Sequence, residues 1–127
     1  MIEETLSYEI INAFYKVYNK LGYGFLEKVY EKALMIELKN RKFNCESQYG
    51  IEVYYEGVAV GKYFADIIVN SCIILEIKAS ECLCEEHGFQ LINYLKASKI
   101  EVGLLLNFGK KPDVKRKIFT NDYKLNK

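Results

Sequence analysis

Apolar residues recur at helical spacing over residues 3–21, where Leu6, Ile10, Ala13, Phe14, Val17 and Leu21 mark one face and Glu3 and Glu4 suit the first turn. Gly22-Tyr23-Gly24 ends that pattern. A second helix is predicted over 25–41, with Leu26, Val29, Ala33, Leu34, Ile36 and Leu38 apolar and Lys39, Arg41 and Lys42 at its C-terminal end. On it Glu27, Tyr30, Glu31 and Leu34 share one stripe, so Glu27 stands at the edge of the buried face. The period then changes. Strands are predicted over 44–55 and 58–60 around the Glu56-Gly57 turn, then over 61–69 and 72–78 around Asn70-Ser71. A helix over 85–97 brings His87, Gln90 and Tyr94 to one side. The nearly unbroken apolar run 100–107 predicts a strand buried on both faces, and a last strand over 114–119 follows Pro112. The order α-α-β-β-β-α-β-β predicts an α/β (α+β) fold, a mixed central sheet flanked by helices. We expect one domain over 1–127, with its core at about 5–119 and a basic tail after it.

Three charges interrupt the apolar hairpin strands: Asp66, Glu76 and Lys78. Charges inside central strands need a partner, a bound ion or a cleft. A strict two-residue loop at Asn70-Ser71 sets Asp66 opposite Leu75. A loop of 70–72 pairs Val69 with Ile73 and Asp66 with Glu76, and puts Lys78 on the face of Glu76. The second register leaves Ala65, Ile67, Val69, Ile73, Leu75 and Ile77 on one wholly apolar face, and is the one expected. Opposed carboxylates about 4 Å apart repel by roughly 4 kcal/mol at an effective dielectric near ~20. Either one of them holds a proton or a cation lies between them. Two carboxylates and a backbone carbonyl suit a partly hydrated hard cation such as Mg²⁺, with a lysine beside it to orient water or balance charge on a phosphate. A buried ion pair that holds the strands in register accounts for the same residues, and both readings stand at this point.

Half the residues are hydrophobic and 28% are charged, as in a globular chain rather than a disordered one. The net charge of +1 selects no partner. Its distribution says more, because Lys110, Lys111, Lys115, Arg116, Lys117, Lys124 and Lys127 crowd the last part of the chain. Of these, Lys110, Lys111, Lys115 and Arg116 are the candidates for contact with a phosphate backbone. Cys72 is expected to be an inert core thiol. Cys82 and Cys84 lack a second pair at zinc-finger spacing, and His87 is the one histidine, which argues against a structural zinc site. With no signal peptide and no apolar run near the ~18 residues of a membrane span, the expectation is a cytoplasmic protein without membrane contact.

Asp66-x9-Glu76-Ile77-Lys78, between an upstream helix with Glu27 and a downstream helix with Gln90, resembles the PD-(D/E)XK nuclease superfamily. Gly24-Phe-Leu-Glu27-Lys-Val-Tyr30 resembles more narrowly the signature of the GxxExxY proteins. The likeness continues through Gln48, Tyr55, Gly61-x-Tyr63-x-Ala65-Asp66, Gln90-Leu-Ile-Asn-Tyr94 and Gly103-Leu-Leu-Leu-Asn-Phe-Gly109, over about residues 5–119. Ala65 stands where the superfamily's name has proline. The resemblance implies a restriction-endonuclease-like core and a metal-dependent nuclease using Mg²⁺ or Mn²⁺ on nucleic acid, with DNA favoured. It implies Asp66, Glu76, Glu27 and the carbonyl of Ile77 as metal ligands and Lys78 as the catalytic lysine. Gln90, Tyr94 and Tyr30 are expected to position substrate. A catalytically silent binding module, and a subunit acting as a homodimer or with a partner protein, are the alternatives.

Overall fold

A computed structural model describes residues 3–124. Lys127, counted above in the basic tail, lies outside the described residues. The elements are α1 (Glu4–Leu21), α2 (Glu27–Asn40), β1 (Cys45–Tyr55), β2 (Val58–Val69), β3 (Ile73–Lys78), α3 (Glu85–Ala97), β4 (Val102–Phe108) and β5 (Pro112–Ile118), with a short 3₁₀ turn at Asn121–Tyr123. The order is the predicted one. The segments 58–60 and 61–69 form one strand, and the irregularity that separates them in register lies between Val53 and Tyr54 of the partner strand.

The five strands lie in the order β1-β2-β3-β4-β5, antiparallel except for β3 beside β4, which the α3 crossover makes parallel. Helices cover both faces. On one face α1 and α2 bring Ile10, Phe14, Val17, Tyr30, Leu34 and Leu38 onto Ile67, Val69, Leu75, Ile77, Leu104 and Phe108. On the other face α3 packs Leu91, Tyr94 and Leu95 onto Ala65, Ile68, Ile74 and Leu105. Every residue of β4 is buried, as its apolar run predicts for a strand covered on both sides.

Aromatic packing anchors α2. The Tyr30 ring stacks on Phe108 with centroids 4.3 Å apart, and Phe14 meets Phe108 edge-on at 4.7 Å. Such pairs add about 0.5–1.5 kcal/mol beyond the area they bury. The buried stripe of α2 is therefore Tyr30–Leu34–Leu38, while Leu26 and Ile36 stand exposed.

Three expectations need correction. Cys72 is only half-buried, at the β2–β3 turn, where burial still pushes its thiol pKa up; the thiol inside the core is Cys45. Lys124 is not part of a basic tail outside the packed domain. It is 8% exposed and its Nζ donates to the carbonyls of Ser98 at 2.9 Å and Ile100 at 2.6 Å, docking the end of the described chain against the loop before β4. Ala65 does not share a face with Ile67. It packs under α3, whereas Ile67 and Val69 pack under α1 and α2.

The change of face at Ala65 has a local cause. Gln48 adopts a left-handed conformation (φ 56°) in the middle of β1, and the ladder passes from Ser47↔Ile67 to Tyr49↔Ala65 without a bridge at Gln48 and Asp66. Cys45 packs on the α1/α2 side and Ile51 on the α3 side, so β1 turns over at the same level as β2. Strand side chains otherwise alternate strictly. Both strands flip together, and Asp66 sits at the flip.

Candidate active site

The β2–β3 hairpin has the register in which Val69 faces Ile73, followed by Ile68↔Ile74 and Ile67↔Leu75. Asn70 and Ser71 both take positive φ (52° and 54°), and Cys72 N–H closes the turn on the Val69 carbonyl at 2.9 Å. Asparagine is among the residues that best tolerate this conformation.

Ladder pairing stops one step short of the acidic residues. There the carboxylates take over the bridging: Asp66 N–H donates to Glu76 Oε2 at 2.8 Å, and Ile77 N–H donates to Asp66 Oδ2 at 2.7 Å. Each acid is thus fixed by a backbone donor of the other strand. The remaining oxygen of each, Asp66 Oδ1 and Glu76 Oε1, takes no hydrogen bond from a described residue and stays open to solvent, since no buried side-chain oxygen among the described residues lacks a partner. Both carboxylates are raised in pKa. Burial pushes Glu76, 4% exposed, up to about 8, with the neighbouring charge of Asp66 adding to the effect. Burial also raises Asp66, against the lowering by the Ile77 N–H, and the charges of Glu31 and Glu27 push it further up while Lys78 pulls it down.

Lys78 is half-buried at the end of β3, level with Asn107 of β4. The chain that leaves it is clamped. Asn107 Oδ1 accepts from Ser80 N–H and Asn107 Nδ2 donates to Ser80 O, both at 3.0 Å. Gly109 lies so close that a Cβ there would stand 2.2 Å from the Ser80 carbonyl oxygen. That approach requires glycine.

From the other elements, α2 presents Glu27, exposed at its first turn, and Glu31, 7% exposed and 3.6 Å from Lys28. Glu31 raises the Asp66 pKa more than Glu27 does. Glu31 is not among the residues expected at the site; its position on the stripe between Tyr30 and Leu34 is the sequence signal that points to it. Among the described residues no three His, Cys, Asp or Glu side chains come together as a metal-holding group. The assembled carboxylates are Asp66 and Glu76, with Glu27 and Glu31 at longer range.

The residues expected to position substrate divide. Tyr94 is 7% exposed, and its pKa is pushed up to about 12 by burial and then by the charges of Glu76 and Asp66, so its hydroxyl keeps its proton beside them. Tyr94 and the exposed Gln90 line a cavity of about 650 Å³ between α3 and the distal half of β1 and β2. His87 is elsewhere, accepting from Cys84 N–H at 3.3 Å at the start of α3. Tyr30 is wholly buried. Its hydroxyl donates to Gly22 O at 2.7 Å and accepts from Phe25 N–H at 3.2 Å, so it holds the loop into α2 instead of facing a cleft.

The four basic candidates do not form one patch. Lys110 and Lys111 are exposed in the β4–β5 turn, at the end of the sheet where Lys78 lies. Lys115 lines a depression beside α3, whereas Arg116 Nε reaches Ser7 Oγ at 3.3 Å on the α1 side. Alternation along β5 separates them.

A five-stranded mixed sheet with helices on both faces, carrying two acids on adjoining strands and a lysine two residues beyond the second, is a restriction-endonuclease-like arrangement. The family model of the PD-(D/E)XK nuclease superfamily matches residues 4–117, and the chain belongs to that superfamily. Among solved structures it is similar to the crystal structure of SSO0001, at 24% identity and a TM-score of 0.60, over 73% of this chain and 50% of that one. The chain therefore spans about half the length of that relative, and the likeness is one of fold. A search of curated proteins gave no match. No helix among the described residues is long and apolar enough to cross a membrane.

Proposed function

We propose that the protein hydrolyses phosphodiester bonds in nucleic acid, with DNA as the expected substrate, using Mg²⁺ or Mn²⁺ held by Asp66 and Glu76. The observation that carries this reading is the cross-strand exchange at the two acids. Each carboxylate has one oxygen held by a backbone N–H and the other uncommitted. Glu76 is buried and Asp66 half-buried, each keeps one oxygen free of protein partners, and these are the hard oxygens that such cations take. Because N–H and C=O of one strand residue turn to the same side, the Ile77 carbonyl faces the gap that its N–H faces, which supports it as a third donor. Glu27 and Glu31 add negative charge from α2 and fit a role through intervening water.

A divalent cation supplies Lewis-acid polarisation of the scissile phosphate and a more acidic water. The protein's own groups do the rest. Lys78, carried by the clamped end of β3, offers a positive charge next to the acids for the attacking water or the developing phosphate charge. Tyr94 keeps a donor hydroxyl there. Lys110 and Lys111 are suited to the neighbouring backbone phosphates. Gly24, Glu27 and Tyr30 support a place in the GxxExxY group within the superfamily.

Calorimetric titration with Mn²⁺, wild type against Asp66→Ala, tests the reading together with a nuclease assay. Wild type should bind and cleave, and the variant should do neither while melting as a folded protein. Cleavage retained by Asp66→Ala would sink the assignment.

A further inference from the structure

The cavity beside Tyr94 has a composition unlike that of a phosphate-binding groove. Its walls are the rings of Tyr54, Tyr63, Phe89 and Tyr94, with the amides of Gln90 and Asn93 between them. Three of these rings are open to solvent: Phe89 is 59% exposed, Tyr63 49% and Tyr54 44%. Tyr63 and Tyr94 lie with centroids 5.8 Å apart at 42°, a tilted pair and not a flat mutual stack. The charge count there is low. Lys96 is drawn over the Phe119 ring at 5.6 Å, and Glu86 on the wall repels phosphate. The cavity thus offers flat apolar faces and hydrogen-bonding amides with little attraction for a backbone.

Tyr94 joins this space to the neighbourhood of the acids, because it lines the cavity and packs in one core cluster with Ala65, the residue before Asp66. Tyr63 on the cavity wall stands three residues before Asp66 on β2, about 10 Å along the strand, so a base attached to a phosphate at the acids lies close to this cavity. A base in duplex is stacked and paired, and its faces are closed to side chains; one that is single-stranded or displaced can stack on aromatic rings and meet amides along its edge.

We infer that the substrate carries an unpaired base next to the scissile phosphate, received in the cavity formed by Tyr54, Tyr63, Phe89 and Tyr94. The enzyme then acts on single strands, overhangs or locally opened duplex in preference to closed duplex. This deepens the phosphodiesterase reading and rests on it for the position of the phosphate.

The test uses the whole protein and a short DNA strand bearing 2-aminopurine, alone or annealed to its complement, in chelator so that no cleavage occurs. The single strand should bind at least about tenfold more tightly than the duplex, with quenching of the 2-aminopurine as it stacks. Phe89→Ala and Tyr63→Ala, both at exposed positions, should each weaken single-strand binding by about five- to 150-fold, the factor for one stacked base. Circular dichroism checks that they fold. Equal affinity for both DNA forms, or unchanged binding in both variants, overturns the inference, and so does a variant that only disrupts self-association. Cleavage by wild type without single-strand preference removes this inference and leaves the phosphodiesterase reading. Single-strand preference in a protein that cleaves nothing with Mg²⁺ or Mn²⁺ removes the phosphodiesterase reading and with it the scissile phosphate of this inference, and leaves the cavity only as a base-stacking site.

Discussion

Asp66 and Glu76 hold each other's strands through backbone hydrogen bonds, one carboxylate accepting from each side, at the step where the β2–β3 ladder would otherwise close. The site thus occupies an interruption in the sheet. Its acids are fixed by main chain and not by flexible partners, which is the preorganisation that charge stabilisation requires.

A dependence of stability on pH follows. The folded pKa of Glu76, about 8, stands above its ordinary value of 4.5. The folded state therefore holds a proton that the unfolded chain releases. The associated stability is fully present below about pH 4.5 and is lost as pH rises toward about 8, over a range worth a few kcal/mol. Asp66 is raised too and acts in the same direction. Thermal melting in chelator should show Tm falling from pH 5 to about 8, and Glu76→Gln should flatten that fall. An equally steep profile in the variant counts against the assignment to Glu76.

Cation affinity should rise with pH over the same range, because a proton must leave the pair before both oxygens can ligate. Calorimetry with Mn²⁺ should give affinity increasing by up to about tenfold per pH unit below 8 and levelling above it, with proton release seen as a dependence on buffer ionisation enthalpy. A flat profile means that Glu76 is not a ligand.

The Asn107 clamp on Ser80 fixes the chain two residues beyond Lys78. Asn107→Ala leaves the Ser80 N–H and carbonyl without their partners, for a loss of about 1–3 kcal/mol. Cleavage should fall through kcat with little change in KM, since the residue acts on the position of Lys78. Gly109→Ala should destabilise more, because its Cβ meets the Ser80 oxygen at 2.2 Å and backbone must move. Equal loss of kcat and gain of KM would argue against a positioning role.

Tyr30→Phe removes two hydrogen bonds to the loop preceding α2 while keeping the stack on Phe108. Stability should drop by about 1–2 kcal/mol, whereas Tyr30→Ala should cost about 3–5 kcal/mol by opening the core. Denaturant melts of the two variants separate the hydroxyl from the ring.

Much of this arrangement was legible in the chain. The hairpin register followed from asking which pairing segregates charged from apolar side chains, and α3 was marked by its period. What escaped notice depended on distant partners. Tyr30 looked like a cleft residue because Phe108, its stacking partner, lies far along the chain. Lys124 looked like part of a basic tail because the carbonyls that receive it belong to the loop before β4. The flip at Ala65 rests on a left-handed Gln48, a residue type with little preference for that conformation, so nothing local announces it. The separation of Lys115 from Arg116, by contrast, was available from strand alternation alone.

Gln48 has one more consequence. β1 is an outer strand of 11 residues, with open backbone donors and acceptors along one side. A flat run of that length invites a second molecule to add its own strand. The left-handed residue bends the run near its middle, and exposed Glu46 and Glu52 stand on either side of the bend. The irregularity that lies opposite Asp66 thus also interrupts the outer edge at which a second molecule could add a strand.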